Sequence, residues 1–174
     1  MLSFEEALAR LLAAAPAVAE VESLSTRHAD RRVLAQAQTA TIDSPPLDHS
    51  AMDGYAVAAA DVPRLGICLP VTQRIPAGSV GSRLQPGSAA RIFTGALIPP
   101  GADAVVMQEL CEHRAGAVRI NHLPRTGEHI RRAGSDIAAG SEILARGQRL
   151  RPQDTALAAS VGIASLPVFR RLRV

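Results

Sequence analysis

The sequence predicts a β-rich α+β fold: a short helical opening, a long middle that closes as a small barrel or bent sheet, and a closing strand, helix and strand. Three observations predict it. Apolar residues recur at helical spacing near the start, and Pro152 and Gly162 bracket a closing helix near the end. Between about residues 46 and 137, short apolar runs alternate with Gly and Pro, the texture of β-rich domains. No helix-length segment separates those runs, which excludes a βαβ array.

Ser3 followed by Glu6 is a capping-box pattern, and Phe4, Ala7, Leu8, Leu11 and Leu12 then share one face of a helix expected to run to about Ala15 and end at Pro16. A second, weaker helix is expected from Ser25 to about Ala37, with Val33 and Leu34 inward and Arg27, Arg31 and Arg32 outward. Pro45-Pro46 closes this region, because paired prolines forbid both helix and interior strand. The expected strands of the middle are Ala56–Ala58, Ile67–Arg74, Ala89–Phe93, Ala104–Gln108 and Ala117–His122. Turns are expected at Pro76-Ala77-Gly78, Gln85-Pro86-Gly87, Pro99 to Asp103 and Arg125-Thr126-Gly127, and Gly78 to Ser82 reads as a mobile hairpin loop. The end reads as a strand around Ile143 and Leu144, a helix from Pro152 to about Ser160 stopped by Gly162, and a strand over Ser165 to Val174.

At 174 residues the chain suits one or two domains with a sizeable core, built from Leu, Val, Ile and Ala because only 2% of it is aromatic. All 19 of its Lys-plus-Arg residues are Arg, against 16 acidic residues, giving a formal charge of +3 and a pI near 9.6. Without a Lys, neither a P-loop nor Schiff-base catalysis originates here. Arginine forks suit oxyanions, and equally suit a solvated surface. One Tyr, three Phe and no Trp offer little stacking platform for nucleic acid. Cys68 and Cys111 have no metal or redox spacing and read as reduced thiols. No leader pattern and no stretch of membrane-spanning length is visible, so a soluble, cytoplasmic protein is expected.

Chemistry concentrates in three places. Asp53 before Gly54 either exposes a carboxylate beside a backbone free to approach a ligand or caps its own turn. Thr94-Gly95, at a strand end, offers a hydroxyl and an accessible N–H to a phosphate or oxyanion, or satisfies its own backbone. Arg131 and Arg132, followed by Gly134 and Asp136, either bind an anion and position a metal or water, or form a solvated charged loop. Asp43, Asp48, His49 and Asp53 cluster in sequence and could attract Mg²⁺, with local turn and cap roles favoured for Asp43 and Asp48. Cys111, Glu112 and His113 imitate ligands but read as a surface strand end.

Three segments in order resemble one family. Ser50-Ala51-Met52-Asp53-Gly54-Tyr55-Ala56-Val57, the run Ala90 to Glu109 around Thr94-Gly95-Ala96, and Ile130 to Ile137 around Arg131 and Asp136 are similar to motifs of the MoeA-type molybdopterin molybdenumtransferases and the matching domain of gephyrin. The third has Ser135 where the family commonly has Glu. The resemblance implies an elongated α+β arrangement. Residues 1–45 plus 138–174 would form a discontinuous linker or dimerisation domain, into which a barrel-like or bent-sheet domain of residues 46–137 is inserted. It implies insertion of molybdenum from molybdate into adenylylated molybdopterin with release of AMP, assisted by Mg²⁺. Asp53 and Asp136 would be catalytic and orient metal or water, Thr94, Gly95 and Arg131 would bind the anionic substrate, and Glu109 would be structural. The cleft would be completed by the molybdopterin-binding domain of the other subunit of a homodimer, and the molybdopterin adenylyltransferase of the same pathway would be a partner. Segments resembling the family's later domains do not occur among these 174 residues, so no turnover is expected of this chain alone. The alternative is a non-catalytic dimerisation or scaffold module of the same family.

Overall fold

The computed structural model describes residues 2–14 and 20–172. In chain order they form α1 (Phe4–Ala13), β1 (Val21–Ser25), β2 (Gln38–Thr39), β3 (His49–Ser50), β4 (Gly54–Val57), β5 (Ile67–Ile75), β6 (Ala89–Ile92) and β7 (Ala104–Met107). These are followed by β8 (Cys111–Arg114), β9 (Ala117–Ile120), β10 (Ile130–Arg131), β11 (Glu142–Leu144), α2 (Pro152–Ser160) and β12 (Ser165–Phe169). The expected end of the first helix at Ala15 and Pro16, and the last two residues of the expected final strand, lie outside the described residues. The chain divides into two compact units, Met1–Ile42 with Ala139–Val174, and Asp43–Ala138.

In the first unit, α1 opens on the expected capping box. The Ser3 hydroxyl accepts from the Glu6 N–H at 3.2 Å, and the Glu6 carboxylate accepts from the Ser3 N–H at 2.9 Å. Its apolar stripe is open: Phe4 is 77% and Leu11 70% exposed, and no residue of α1 is buried. β1 and β12 pair antiparallel from Val21 with Phe169 to Ser25 with Ser165, and β11 pairs with β2.

The helix expected over 25–37 is absent beyond one 3-10 turn at Thr26–His28. Its backbone groups are claimed from afar: Thr26 N donates to Ala164 O, Arg31 N to Leu150 O, Leu34 N to Gln148 O and Ala35 N to Pro167 O. Arg31 also has φ 61°, which no continuing helix accommodates. Leu34 is buried as expected, whereas Val33 is 36% exposed. Arg32, expected outward, is 9% exposed and donates to the Glu22 carboxylate and to Phe169 O, satisfying its buried charge. α2 runs over the expected residues, with Pro152 in its first turn and Gly162 at φ 85° beyond its end.

The second unit is built on a six-stranded sheet, order β7-β4-β6-β5-β9-β8, curled into a half barrel. All neighbours are antiparallel except β5 and β6. Apolar residues alternate along the strands into two clusters. Tyr55, Val57, Leu69, Ala89, Val106, Val118 and Ile120 form one, and Ala56, Ile75, Leu84, Ala90, Ile92 and Val105 the other. Burying each Val or Ile contributes roughly 1.5–3 kcal/mol.

β5 contributes to both clusters. Residues 69 and 75 would share a face in a regular strand, but a register irregularity between Val71 and Gln73 lets Leu69 enter the first cluster and Ile75 the second. Sequence alternation carries no sign of that shift. The strands β1, β2, β3 and β10 were not expected either, being short or polar, and β8 is a full edge strand where only a strand end was expected. The expected turns are present, with positive φ at Gly78, Gly87, Gly101 and Gly127.

Gly54 is where packing leaves no choice. A Cβ built there would lie 2.0 Å from Val106 O and 2.8 Å from Val106 C, both backbone atoms of the neighbouring strand. Gly54→Ala is expected to cost about 3 kcal/mol in urea unfolding. Gly78→Ala, whose Cβ would meet nothing within 4 Å but whose φ is 78°, is expected to cost about 1 kcal/mol. Equal costs would show that backbone conformation, not strand approach, fixes Gly54.

Candidate functional site

β4 starts at Gly54, paired with Ile92 at the end of β6, so the residues flanking these strand ends, Asp53 and Phe93-Thr94, emerge side by side. Asp53 Oδ1 accepts two hydrogen bonds, from the Thr94 backbone N–H at 2.7 Å and from its hydroxyl at 2.7 Å. The Asp53 carbonyl accepts from Gln108 N at 3.0 Å. The Thr94 N–H, then its hydroxyl, and lastly the Arg91 cation hold the Asp53 carboxyl below its ordinary value, so it is ionised at neutral pH. Arg91 ties the same strand ends together, donating to Gly54 O at 2.8 Å and to Gln108 Oε1 at 2.6 Å.

This geometry revises two expectations about donors. The Gly95 N–H is not open to a ligand, because it donates to Ser50 O at 2.9 Å. The Thr94 hydroxyl proton is directed at Asp53, so Thr94 positions that carboxylate and presents only acceptor character elsewhere. Ser50, fully buried, completes the arrangement: its N–H donates to Ala96 O and its hydroxyl to Met52 O at 2.5 Å.

β3 links these strand ends to the loop that carries Arg131 and Asp136. Ser50 pairs with Ile130 and His49 with Arg131 in β10, while His49 also bridges to Leu97. Arg131 Nη2 donates to Asp136 Oδ2 at 2.5 Å, with the side chains 50% and 47% exposed, and Ser135 Oγ lies 3.4 Å from Asp136 Oδ1. Arg131 holds Asp136 below its ordinary value, assisted by Ser135 and His49. Asp48 does not play the local role expected of it. Its carboxylate crosses to the other loop, accepting from Ala133 N at 2.8 Å and Arg132 Nη1 at 2.5 Å, and the Ala133 N–H is the main cause of its lowered pKa. Gly134 fits that loop because a Cβ there would meet Asp43 Oδ1 at 2.9 Å.

Asp53 with Thr94, and Arg131 with Asp136, are therefore two separate pairs joined through β3; no hydrogen bond or ion pair directly connects them among the described residues. Sequence reading missed Ser50, Arg91 and Asp48 as supports. Ser50 and Arg91 lie inside the matched segments, but nothing local marks a hydrogen bond made across tens of residues. Glu109 is exposed in a 3-10 turn and accepts from Gln108 Nε2 at 3.1 Å. Cys111 and His113 lie on β8, and burial pushes the Cys111 thiol up to about 11.

Among the described residues no group of three or more His, Cys, Asp or Glu side chains is placed to hold a metal ion. Asp53 Oδ1 and Asp136 Oδ2 are engaged by donors of this chain, and a Mg²⁺ ion held through either carboxylate would take most of its octahedral oxygen ligands from water and substrate. No helix among the described residues is long and apolar enough to cross a membrane.

Residues 2–162 match a family model described as the MoeA N-terminal region (domain I and II). The chain is 37% identical over its full length to 43% of the molybdopterin molybdenumtransferase of Haemophilus influenzae. Over 78% of its length it is 45% identical to 35% of molybdopterin molybdenumtransferase 2 of Mycobacterium tuberculosis. The crystal structure of the molybdopterin biosynthesis moeA protein from Pyrococcus horikoshii OT3 superposes on 97% of this chain with a TM-score of 0.86 at 35% identity, and 46% of that chain is covered. The chain thus spans less than half the length of these relatives. The resemblance carried by three short segments extends through the fold, and the chain belongs to the MoeA family, whose N-terminal region it matches.

Proposed function

We propose that this chain acts in molybdenum cofactor biosynthesis as one wall of the cleft that inserts molybdenum from molybdate into adenylylated molybdopterin, releasing AMP. The observation that supports this most is Asp53, an ionised carboxylate clamped at a strand end by both donors of Thr94. Such a group is preorganised to orient water or a polar substrate atom without reorganising as charge develops. Arg131, half exposed and paired with an equally exposed Asp136, is a guanidinium that a more highly charged oxyanion recruits by exchanging partners. Asp48 anchors the loop between them through Arg132 and Ala133.

The remaining groups of the reaction come from outside these residues in this reading, from the molybdopterin-binding domain of a second subunit. The open apolar stripe of α1, with Phe4, Leu8, Leu11 and Leu12 exposed, favours assembly as a homodimer and also suits the non-catalytic scaffold alternative.

A chimera in which this chain replaces the matched region of the Haemophilus influenzae relative discriminates between the two. Molybdate-dependent AMP release is expected from it and a loss of about 100-fold on Asp53→Ala. Equal AMP release with and without the Asp53 carboxylate would eliminate the catalytic reading. In sedimentation, the 174-residue chain is expected to be dimeric and the Phe4→Ser, Leu11→Ser variant monomeric, whereas a monomeric parent chain would contradict assembly through this unit.

A further inference from the structure

A recess lies on the sheet face that carries Tyr55, about 570 Å³ in volume and bounded by Tyr55, Gln73, Arg74, Arg91, Phe93 and His113. Its position follows from the β5 irregularity. Beyond Gln73 the strand has changed faces, which sets Arg74 directly beside Arg91 in the parallel β5–β6 register. Both guanidiniums stack on the same ring, each 4.5 Å from the Phe93 centroid, and Arg91 also lies 5.2 Å from that of Tyr55.

Two cations held on neighbouring strands repel one another. No carboxylate lines the recess to offset them. Asp53, which feels the Arg91 charge, is bound to Thr94 and is not part of the lining. Arg91 spends two N–H groups on Gly54 and Gln108, leaving others unspent, and the Arg74 side chain makes no hydrogen bond or ion pair among the described residues. Gln73 anchors one wall through Ser82, with its Oε1 accepting from Ser82 N at 3.0 Å and its Nε2 donating to Ser82 O at 2.9 Å. The aromatic rings orient the guanidiniums without neutralising them. A tetrahedral dianion relieves the repulsion and accepts from both forks.

We propose that the recess between Arg74, Arg91 and His113 is a binding site for a phosphate dianion, free or carried as a monoester. This assignment shares Arg91 with the surroundings of Asp53 but does not depend on the proposed transferase reaction. In the 174-residue chain, titration with inorganic phosphate and with methyl phosphate at constant ionic strength is read by ¹H–¹⁵N NMR. The Arg74 and Arg91 side-chain N–H signals and the backbone of Gln73 and His113 are expected to shift in a saturable way.

Arg74→Gln is expected to weaken binding about tenfold while leaving the spectrum otherwise folded, and Arg146→Gln in the other unit to leave it unchanged. Tighter binding of methyl phosphate identifies an ester-borne group, and equal binding identifies phosphate itself. Shifts spread over arginines of both units, or an affinity unaffected by Arg74→Gln, would overturn the assignment and show only general attraction to a basic surface.

Discussion

The second unit depends on how closely β4 approaches β7. With Val106 O only 2.0 Å from where a Cβ on Gly54 would stand, β4 fits between β6 and β7 only if that residue has no side chain. The consequence reaches the chemistry at once. The residue before the contact is Asp53, the carbonyl of Gly54 is the acceptor that fixes Arg91, and the strand paired with it ends at Phe93 and Thr94. One steric constraint therefore places a carboxylate, its two donors and a guanidinium at a common strand edge. The exposed carboxylate gets its rigidity from backbone packing beneath it and not from its own burial.

Arg91 connects the two chemical regions of this unit. On one side its field and its bond to Gly54 support Asp53, and on the other its plane forms part of a cationic recess with Arg74 and Phe93. The arginines differ by partner: Arg32 is buried against Glu22 and a carbonyl, Arg132 braces a loop through Asp48, and Arg74 meets only an aromatic face. The absence of Lys suits these roles, because stacking and bidentate donation need a planar cation.

Much of this was legible in the chain. Gly and Pro marked the turns because positive φ and a missing N–H are local requirements; β4 to β7 and β9 declared themselves through their apolar residues, and α2 through Pro152 at its start and Gly162 beyond its end. The motif segments located Asp53, Thr94 and Arg131, and the MoeA family assignment followed from the same residues. What stayed hidden was non-local. Residues 25–37 looked weakly helical, yet the N–H groups of Thr26, Arg31, Leu34 and Ala35 serve carbonyls over a hundred residues away. Asp48 looked like a turn residue, yet its partners are 84 and 85 positions distant. The β5 irregularity left no trace in hydrophobic alternation, and with it the adjacency of Arg74 and Arg91 was invisible.

The central claim is that strand geometry fixes Asp53 as an ionised, doubly hydrogen-bonded carboxylate. Titrating the ¹³C-labelled Asp53 carboxyl in the 174-residue chain, while following the Thr94 amide proton, tests it directly. Lowered in the folded chain, its midpoint is expected below the roughly 3.9 of a free aspartate, with the Thr94 amide moving in step and losing its downfield shift only when the carboxyl protonates. A midpoint at the free value, with a Thr94 amide indifferent to that titration, would contradict the account.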